Sequence, residues 1–380
     1  MITVFAKTLA RRSGKSNAAI VSAITLAALA CGSTVAQDNR QTTPAIGSEG
    51  TSTRAAVIAK ARCDPQAIQS AHCDELIREG RKAIDELRYS EAERLFSEAL
   101  HQLEGAEMTD IRLARSLWGL GVVNRVAGRC LEAARLHLRA VKIFEAALPP
   151  HPFDLANAWE YLGAAYACEH QYSKAADAFR RSVDIVEKGF GAEHPSVVPA
   201  LSSLGTAYTF QRRYAEAAAV LQRAQTILEK SPEPSQAVLA AVLNNLGELL
   251  RAMGRYGDAE EVLRKGLAVV ENTSEPDSRL ITTILLNNLG VTYMRHKQFR
   301  EALPLFARAA DLAQEGGVQD FHEAGQILKN YSLCLRKVGN KSEAQRYDSK
   351  SNVILGRAGG AAAEKSIVDV HDLTRKGDVF

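Results

Sequence analysis

Apolar residues along most of this chain recur three and four positions apart, in paired runs separated by a short polar break. In one pair Trp159, Leu162 and Tyr166 precede the break and Ala175 and Phe179 follow it. That spacing puts the apolar side chains on one face of a helix, so each pair predicts two amphipathic helices joined by a turn. The first run of each pair carries a Leu-Gly phrase: Leu120-Gly121, Leu162-Gly163, Leu204-Gly205, Leu246-Gly247 and Leu289-Gly290, with degenerate copies at Gly80 and Ser332. Successive copies are 41, 42, 42, 42, 43 and 42 residues apart. A fixed period in this range marks an array of stacked helical units. The second run repeats the register. Eleven and twelve residues after each glycine place stands a polar residue followed by alanine, from Glu91-Ala92 to Glu343-Ala344. Small residues at both places let the two backbones approach closely.

These residues resemble a tetratricopeptide repeat. Large apolar residues fall at repeat positions 4, 7, 11 and 24, glycine at position 8, and small residues at 20 and 27. Around Gly163 they are Trp159, Leu162, Tyr166, Phe179, Ala175 and Ser182. The usual unit is 34 residues, and this one is about eight longer. The longer form is similar to the repeats of kinesin light chain, as are Asn244-Asn-Leu-Gly247, Asn287-Asn-Leu-Gly290, the Gly191-Ala-Glu-His-Pro195 connector and Pro304 in the first turn of a second helix. The resemblance implies an all-α fold, a right-handed superhelical α-solenoid of about seven helix-turn-helix repeats over residues 73–355. It also implies a concave groove lined by the first helices, through repeat positions 2, 5, 6, 9, 12 and 13.

On that reading the groove of the last three repeats presents Asn244, Asn245, Arg251, Asn287, Asn288, Arg295, Lys329 and Asn330. In the kinesin light chain family such asparagines bind the backbone of an extended peptide. An amide both donates and accepts, so a row of them can satisfy a peptide without reading its sequence. The same row can instead tie neighbouring helices together, and both readings stand. If the row captures a peptide, replacing Asn245, Asn288 and Asn330 by alanine should abolish binding and leave thermal melting little changed. Five basic groups (Arg251, Arg295, Lys329, Arg336 and Lys337) against Glu248 favour an acidic partner segment or a carboxylate. Trp118 and Tyr161 read as core or groove wall.

Outside the repeats the chain changes character. Residues 1–36 have a basic start (Lys7, Arg11, Arg12, Lys15), an apolar run from Ala18 to Ala30, and a small-residue cleavage site at Thr34-Val35-Ala36. This is the pattern of a secretory signal. A lipoprotein anchored at Cys31 and an uncleaved anchor or a non-secreted protein are the alternatives. The run is shorter than the roughly 20 apolar residues of a membrane span. Residues 37–72 read as a flexible linker and 356–380 as a disordered tail. The whole chain counts 47 basic and 44 acidic residues, a net +3. Removing 1–36 takes four basic residues and no acidic one, leaving −1, so charge gives no argument for nucleic acid.

Six cysteines suit an oxidising compartment. Cys63 and Cys73 flank the entry to the first repeat. Cys130 and Cys168 sit at helix ends that should be neighbours in the stack. Both pairs are candidate disulfides; all-reduced, buried thiols are the alternative. A metal site from Cys63, His72 and Cys73 has no recognised ligand spacing. No His-Glu-x-x-His, Gly-x-Ser-x-Gly or phosphate-loop motif occurs. The sequence therefore predicts neither catalytic residues nor a cofactor. It predicts an exported, periplasmic or secreted protein- or peptide-binding scaffold, with a structural subunit of an envelope complex as the alternative.

Overall fold

The computed structural model describes residues 65–86, 88–103, 110–148, 150–273, 275, 278–315 and 322–358. Fourteen α-helices run through these residues in seven antiparallel pairs: α1 Pro65–Asp85, α2 Tyr89–Gln102, α3 Ile111–Val126, α4 Cys130–Ala146, α5 Pro152–Cys168, α6 Tyr172–Phe190, α7 Val198–Phe210, α8 Tyr214–Lys230, α9 Gln236–Ala252, α10 Tyr256–Glu271, α11 Ser278–Arg295, α12 Phe299–Glu315, α13 His322–Lys337 and α14 Lys341–Ala358. A single 3₁₀ turn, Pro195–Val197, leads into α7. The chain is an all-α solenoid.

The pairing follows from the break chemistry. From α3 onward each first helix is followed by one residue in left-handed backbone, which only glycine adopts without cost and which His170, Arg212 and Lys297 adopt in three repeats. Gly128, Gly254 and Gly339 supply it in three repeats. In each case the next residue's N–H returns to a carbonyl five residues back, as Arg255 N to Leu250 O at 2.9 Å. That bond closes the first helix and aims the chain into the second.

A single side chain from the second helix fills the notch left by each Leu-Gly glycine. A Cβ built on Gly163 would stand 2.6 Å from Phe179 Cε1, and one on Gly205 would stand 2.5 Å from Leu221 Cγ. The same seat is taken by Phe96 on Gly80, His137 on Gly121, Leu263 on Gly247 and Phe306 on Gly290. Most of these are wholly buried. In the last repeat Asp348 holds the place, accepting from Lys329 Nζ at 2.6 Å and Arg336 Nη2 at 3.0 Å. The stack ends on ion pairs instead of an apolar seat, which suits a terminal unit.

Successive first helices touch one another (α1 with α3, α7 with α9, α9 with α11, α11 with α13), while successive second helices hardly meet. The array therefore curves with its odd-numbered helices on the inside. This is what positions the site.

Three boundaries differ from the sequence reading. The first helix starts at Pro65, inside the stretch expected to be linker, because a proline is pre-set for the opening of a helix and lacks only an N–H that would go unpaired there. The last helix reaches Ala358 rather than 355. Pro304 lies in the second turn of α12, not the first. The expected signal (1–36), the residues 37–64 of the linker, Cys31, Cys63 and the tail from 359 lie outside the described residues. Among the described residues no helix is long and apolar enough to cross a membrane, and no His, Cys, Asp and Glu side chains group as metal ligands would.

Cys130, the first residue of α4, is joined by a disulfide to Cys168, the last of α5, with Cα atoms 6.1 Å apart. The bridge fastens the second repeat to the third. Cys73 and Cys334 are buried free thiols, and burial pushes the Cys334 thiol up to about 11.

Candidate functional site

The inner face has two polar zones. In the N-terminal zone the Arg81 guanidinium lies over the Trp118 ring at 5.2 Å, and Trp118 meets Tyr161 edge-on at 5.1 Å. Arg115 Nη2 donates to Asp154 at 2.9 Å. Trp118 and Tyr161 thus pack as a groove wall braced by an arginine.

The C-terminal zone, over α7, α9, α11 and α13, is built from amides. Asn330 Nδ2 donates to Asn287 Oδ1 at 2.9 Å, Asn288 Nδ2 to Asn244 Oδ1 at 2.8 Å, and Asn245 Nδ2 to Ser202 Oγ at 2.9 Å. Within each Asn-Asn pair the first amide donates to the second at 3.4 Å. Gln326 adds a further bond to Asn330 Oδ1, also at 3.4 Å. One continuous chain of amides therefore crosses four helices. Asn244, Asn245, Asn287 and Asn288 are buried, and Asn330 is half-buried.

This geometry supports the helix-tying role of the row. Each asparagine commits at least one donor to a neighbour, so the ladder ties repeats together in the free protein. Replacing Asn245, Asn288 and Asn330 by alanine strands buried acceptors on Asn244, Asn287 and Ser202. Each stranded group costs about 1–3 kcal/mol. Thermal melting of the triple variant should fall clearly below that of the parent, and an unchanged melt would refute the bonding pattern.

The basic groups sort in the same way. Asp348 takes Lys329 and Arg336, so Lys329 is an internal ion-pair partner rather than a free groove cation. Arg251 and Arg295 are different. They stand on α9 and α11 close enough that each repels the other, and burial together with Arg251 holds the Arg295 guanidinium below its ordinary value. Arg251 Nε is buried without a hydrogen-bond partner. Among the described residues Arg295 has no ion pair. Among the described residues the carboxylate that faces Arg251 is Glu248, whose Oε1 lies 3.9 Å from Arg251 Nη2 and accepts from Asn288 Nδ2 at 3.2 Å. Burial raises the Glu248 carboxyl to about 7, against the pull of Arg251 and Asn288. Charge-assisted Arg–carboxylate pairs are the strong ones, and here Arg251 has one distant carboxylate while Arg295 has none among the described residues.

Sequence reading found the asparagines and arginines but missed Gln326 and the role of Asp348. Its signal for the ladder was present in the repeat register: the bonded pairs Asn245–Ser202 and Asn330–Asn287 are each 43 residues apart, one repeat plus one position.

The tetratricopeptide-repeat family model matches residues 154–230, 209–272 and 238–315. No curated protein matches the chain. Among solved structures it is similar to the apo form of RapI (16% identity, 75% of this chain and 98% of that one, TM-score 0.58). It is similar to the apo form of the quorum sensor NprR from B. thuringiensis (12% identity, 80% and 92%, TM-score 0.53). BtubC (BKLC) from P. vanneervenii also matches (19% identity, 64% and 92%, TM-score 0.48). Residues 154–315 thus carry tetratricopeptide repeats, and the helix pairs before and after them keep the same register, with a period near 42.

Proposed function

We propose that this chain is an exported scaffold that binds an extended, carboxylate-bearing segment of a partner protein along the inner face of α9, α11 and α13. The observation that carries the reading is the Arg251–Arg295 pair: two half-buried guanidiniums near enough to repel each other, of which Arg251 has one carboxylate at 3.9 Å and Arg295 no ion pair among the described residues. The amide ladder beneath is already bonded to itself, so it serves as a rigid floor. Half-buried Asn330 is the amide placed to offer its free valences to a peptide backbone. Binding, not catalysis, is the role these groups suit. Export is supported by the basic and apolar pattern of residues 1–36 and by the Cys130–Cys168 bridge, since such bonds persist mainly in oxidising compartments. Periplasmic or secreted placement belongs to the same proposal, as does a lipid anchor at Cys31 in its alternative form.

Peptides selected from a random library on the full chain test the reading. They should carry Asp, Glu or a free C-terminal carboxylate. Arg251→Ala and Arg295→Ala should each weaken them about 10- to 100-fold, the loss of a charge-assisted hydrogen bond, with unchanged circular dichroism melts. Selected peptides without carboxylates, or indifferent to both substitutions, would overturn it.

A second reading, a subunit enclosed in an envelope complex, is favoured by Leu131 and Leu138. These exposed leucines lie two turns apart on the outer helix α4. Size-exclusion of the native fraction separates the two: a groove binder runs as a monomer or dimer, an assembly subunit in a large complex.

A further inference from the structure

Glu248 is the one feature of the groove that a carboxylate-binding site should not contain. It sits one turn before Arg251 on α9, almost fully buried, with its Oε1 3.9 Å from the Arg251 guanidinium that an incoming carboxylate would engage. As an ion it is a competitor: it satisfies Arg251 from inside and repels a second carboxylate. Once neutral it withdraws that claim, and Asn288 Nδ2 keeps its bond to Asn244 Oδ1 at 2.8 Å. We infer that Glu248 takes up a proton when a carboxylate-bearing segment occupies the Arg251–Arg295 pair, so that binding tightens as the medium turns acid. This rests on the proposed binding site and adds its regulation.

The surroundings support a proton, and not a rearranged ion pair, as the means of adjustment. Arg251 on its own helix and Asn288 on α11 are the groups that act on Glu248, and Arg295 stands beyond Arg251. Among the described residues α7, α8 and α10 bring no charged or titratable group to bear on it. No second cation can therefore neutralise it when a ligand takes Arg251. With the Glu248 carboxyl already held near 7 by burial, one more negative charge within a few ångströms raises it further. Protons are then bound on association. The sign is fixed: affinity rises as pH falls between the liganded and unliganded values, and it levels off below the unliganded one.

The probe is a histidine-free acidic peptide selected on the wild-type chain. Its own carboxylates stay ionised between pH 6 and 8, well above their ordinary values near 4. Its dissociation constant, measured by fluorescence anisotropy on the full chain, should fall about tenfold from pH 8 to pH 6. Glu248→Gln should bind at pH 8 as tightly as wild type does at pH 6 and lose the pH dependence. Calorimetry of the wild-type chain at pH 7.5, in buffers of different ionisation enthalpy, should register uptake of a substantial fraction of a proton; this holds whether or not the variant folds. A peptide that needs Arg251 and Arg295 but binds equally at pH 6 and 8, with no proton uptake, would overturn the inference and leave the site standing. Binding indifferent to Arg251 and Arg295 would instead overturn the site.

Discussion

Phe179→Ala should lower the stability of the chain by about 3–5 kcal/mol, the usual loss for a buried phenylalanine cut back to alanine. The ring is wholly buried and seated in the notch of Gly163. It belongs to the core that also holds Val183, Leu201 and Leu204, so the cavity would open inside the third repeat, at Gly163, and border the fourth. Neighbouring backbones cannot collapse into it without tilting α5 against α6. Urea unfolding followed by circular dichroism measures the loss as a lower midpoint. Because repeats are coupled mainly to their neighbours, the loss should appear first as earlier melting of the third and fourth repeats. Gly163→Leu should be comparably damaging for the opposite reason, since even its Cβ would press on the ring at 2.6 Å. A midpoint unmoved by Phe179→Ala would mean that the notch is not what sets the helix pair.

The second large effect belongs to the Cys130–Cys168 bridge. It closes a loop with a sequence separation of 38. For a loop of that length the entropy removed from the unfolded chain is worth about 4 kcal/mol, within the usual 2–4 kcal/mol range of such bonds. Reducing the folded protein, or replacing both cysteines by serine, should lower the urea midpoint by that amount or somewhat less. Cys73 and Cys334 should remain unreactive until unfolding, since both are buried. Thiol counting on unfolded, unreduced protein gives the companion result: neither Cys130 nor Cys168 reacts. Full reactivity of both, with no change of midpoint on reduction, would contradict the bridge.

What the sequence made legible was whatever repeats. Gly163, Ala175 and Phe179 recur with the same chemistry in unit after unit, so the helix pairs and their order could be read from spacing, and the family resemblance implied the curved stack. Departures from the repeat were visible as departures but not as roles. Asp348 stood at an apolar place, yet nothing local said that Lys329 and Arg336 would turn to meet it. His137 occupies the seat that phenylalanine or leucine takes elsewhere. Burial and the neighbouring Arg125 push its imidazole down to about 3, so it stays neutral in the fold. That depressed value costs stability as the medium falls below the ordinary histidine value near 6.5, where the unfolded chain takes up the proton first.

The asparagines show the limit most clearly. Their identity and position were plain, and both a peptide-facing and a helix-tying role fitted. Only three-dimensional placement reveals that Asn288 reaches back to Asn244, 44 residues earlier, and that the chain of amides is closed on itself. Pro65 and Pro304 mark a related limit: a proline says that a backbone donor is missing but not how far the surrounding helix extends.

The proposed working surface is the inner face of α9, α11 and α13, through Arg251 and Arg295. The most direct measurement places a photo-crosslinking amino acid at Met294, half-buried beside Arg295 and at the repeat position that Arg251 holds one unit earlier. The full chain is irradiated in its native cell fraction and its adducts are read by mass spectrometry. One dominant protein adduct is expected, mapped to an acidic segment and lost when Arg251 and Arg295 are both alanine. An adduct that survives the double substitution, or crosslinks that form only from a probe at Leu138 on the outer face, would contradict it.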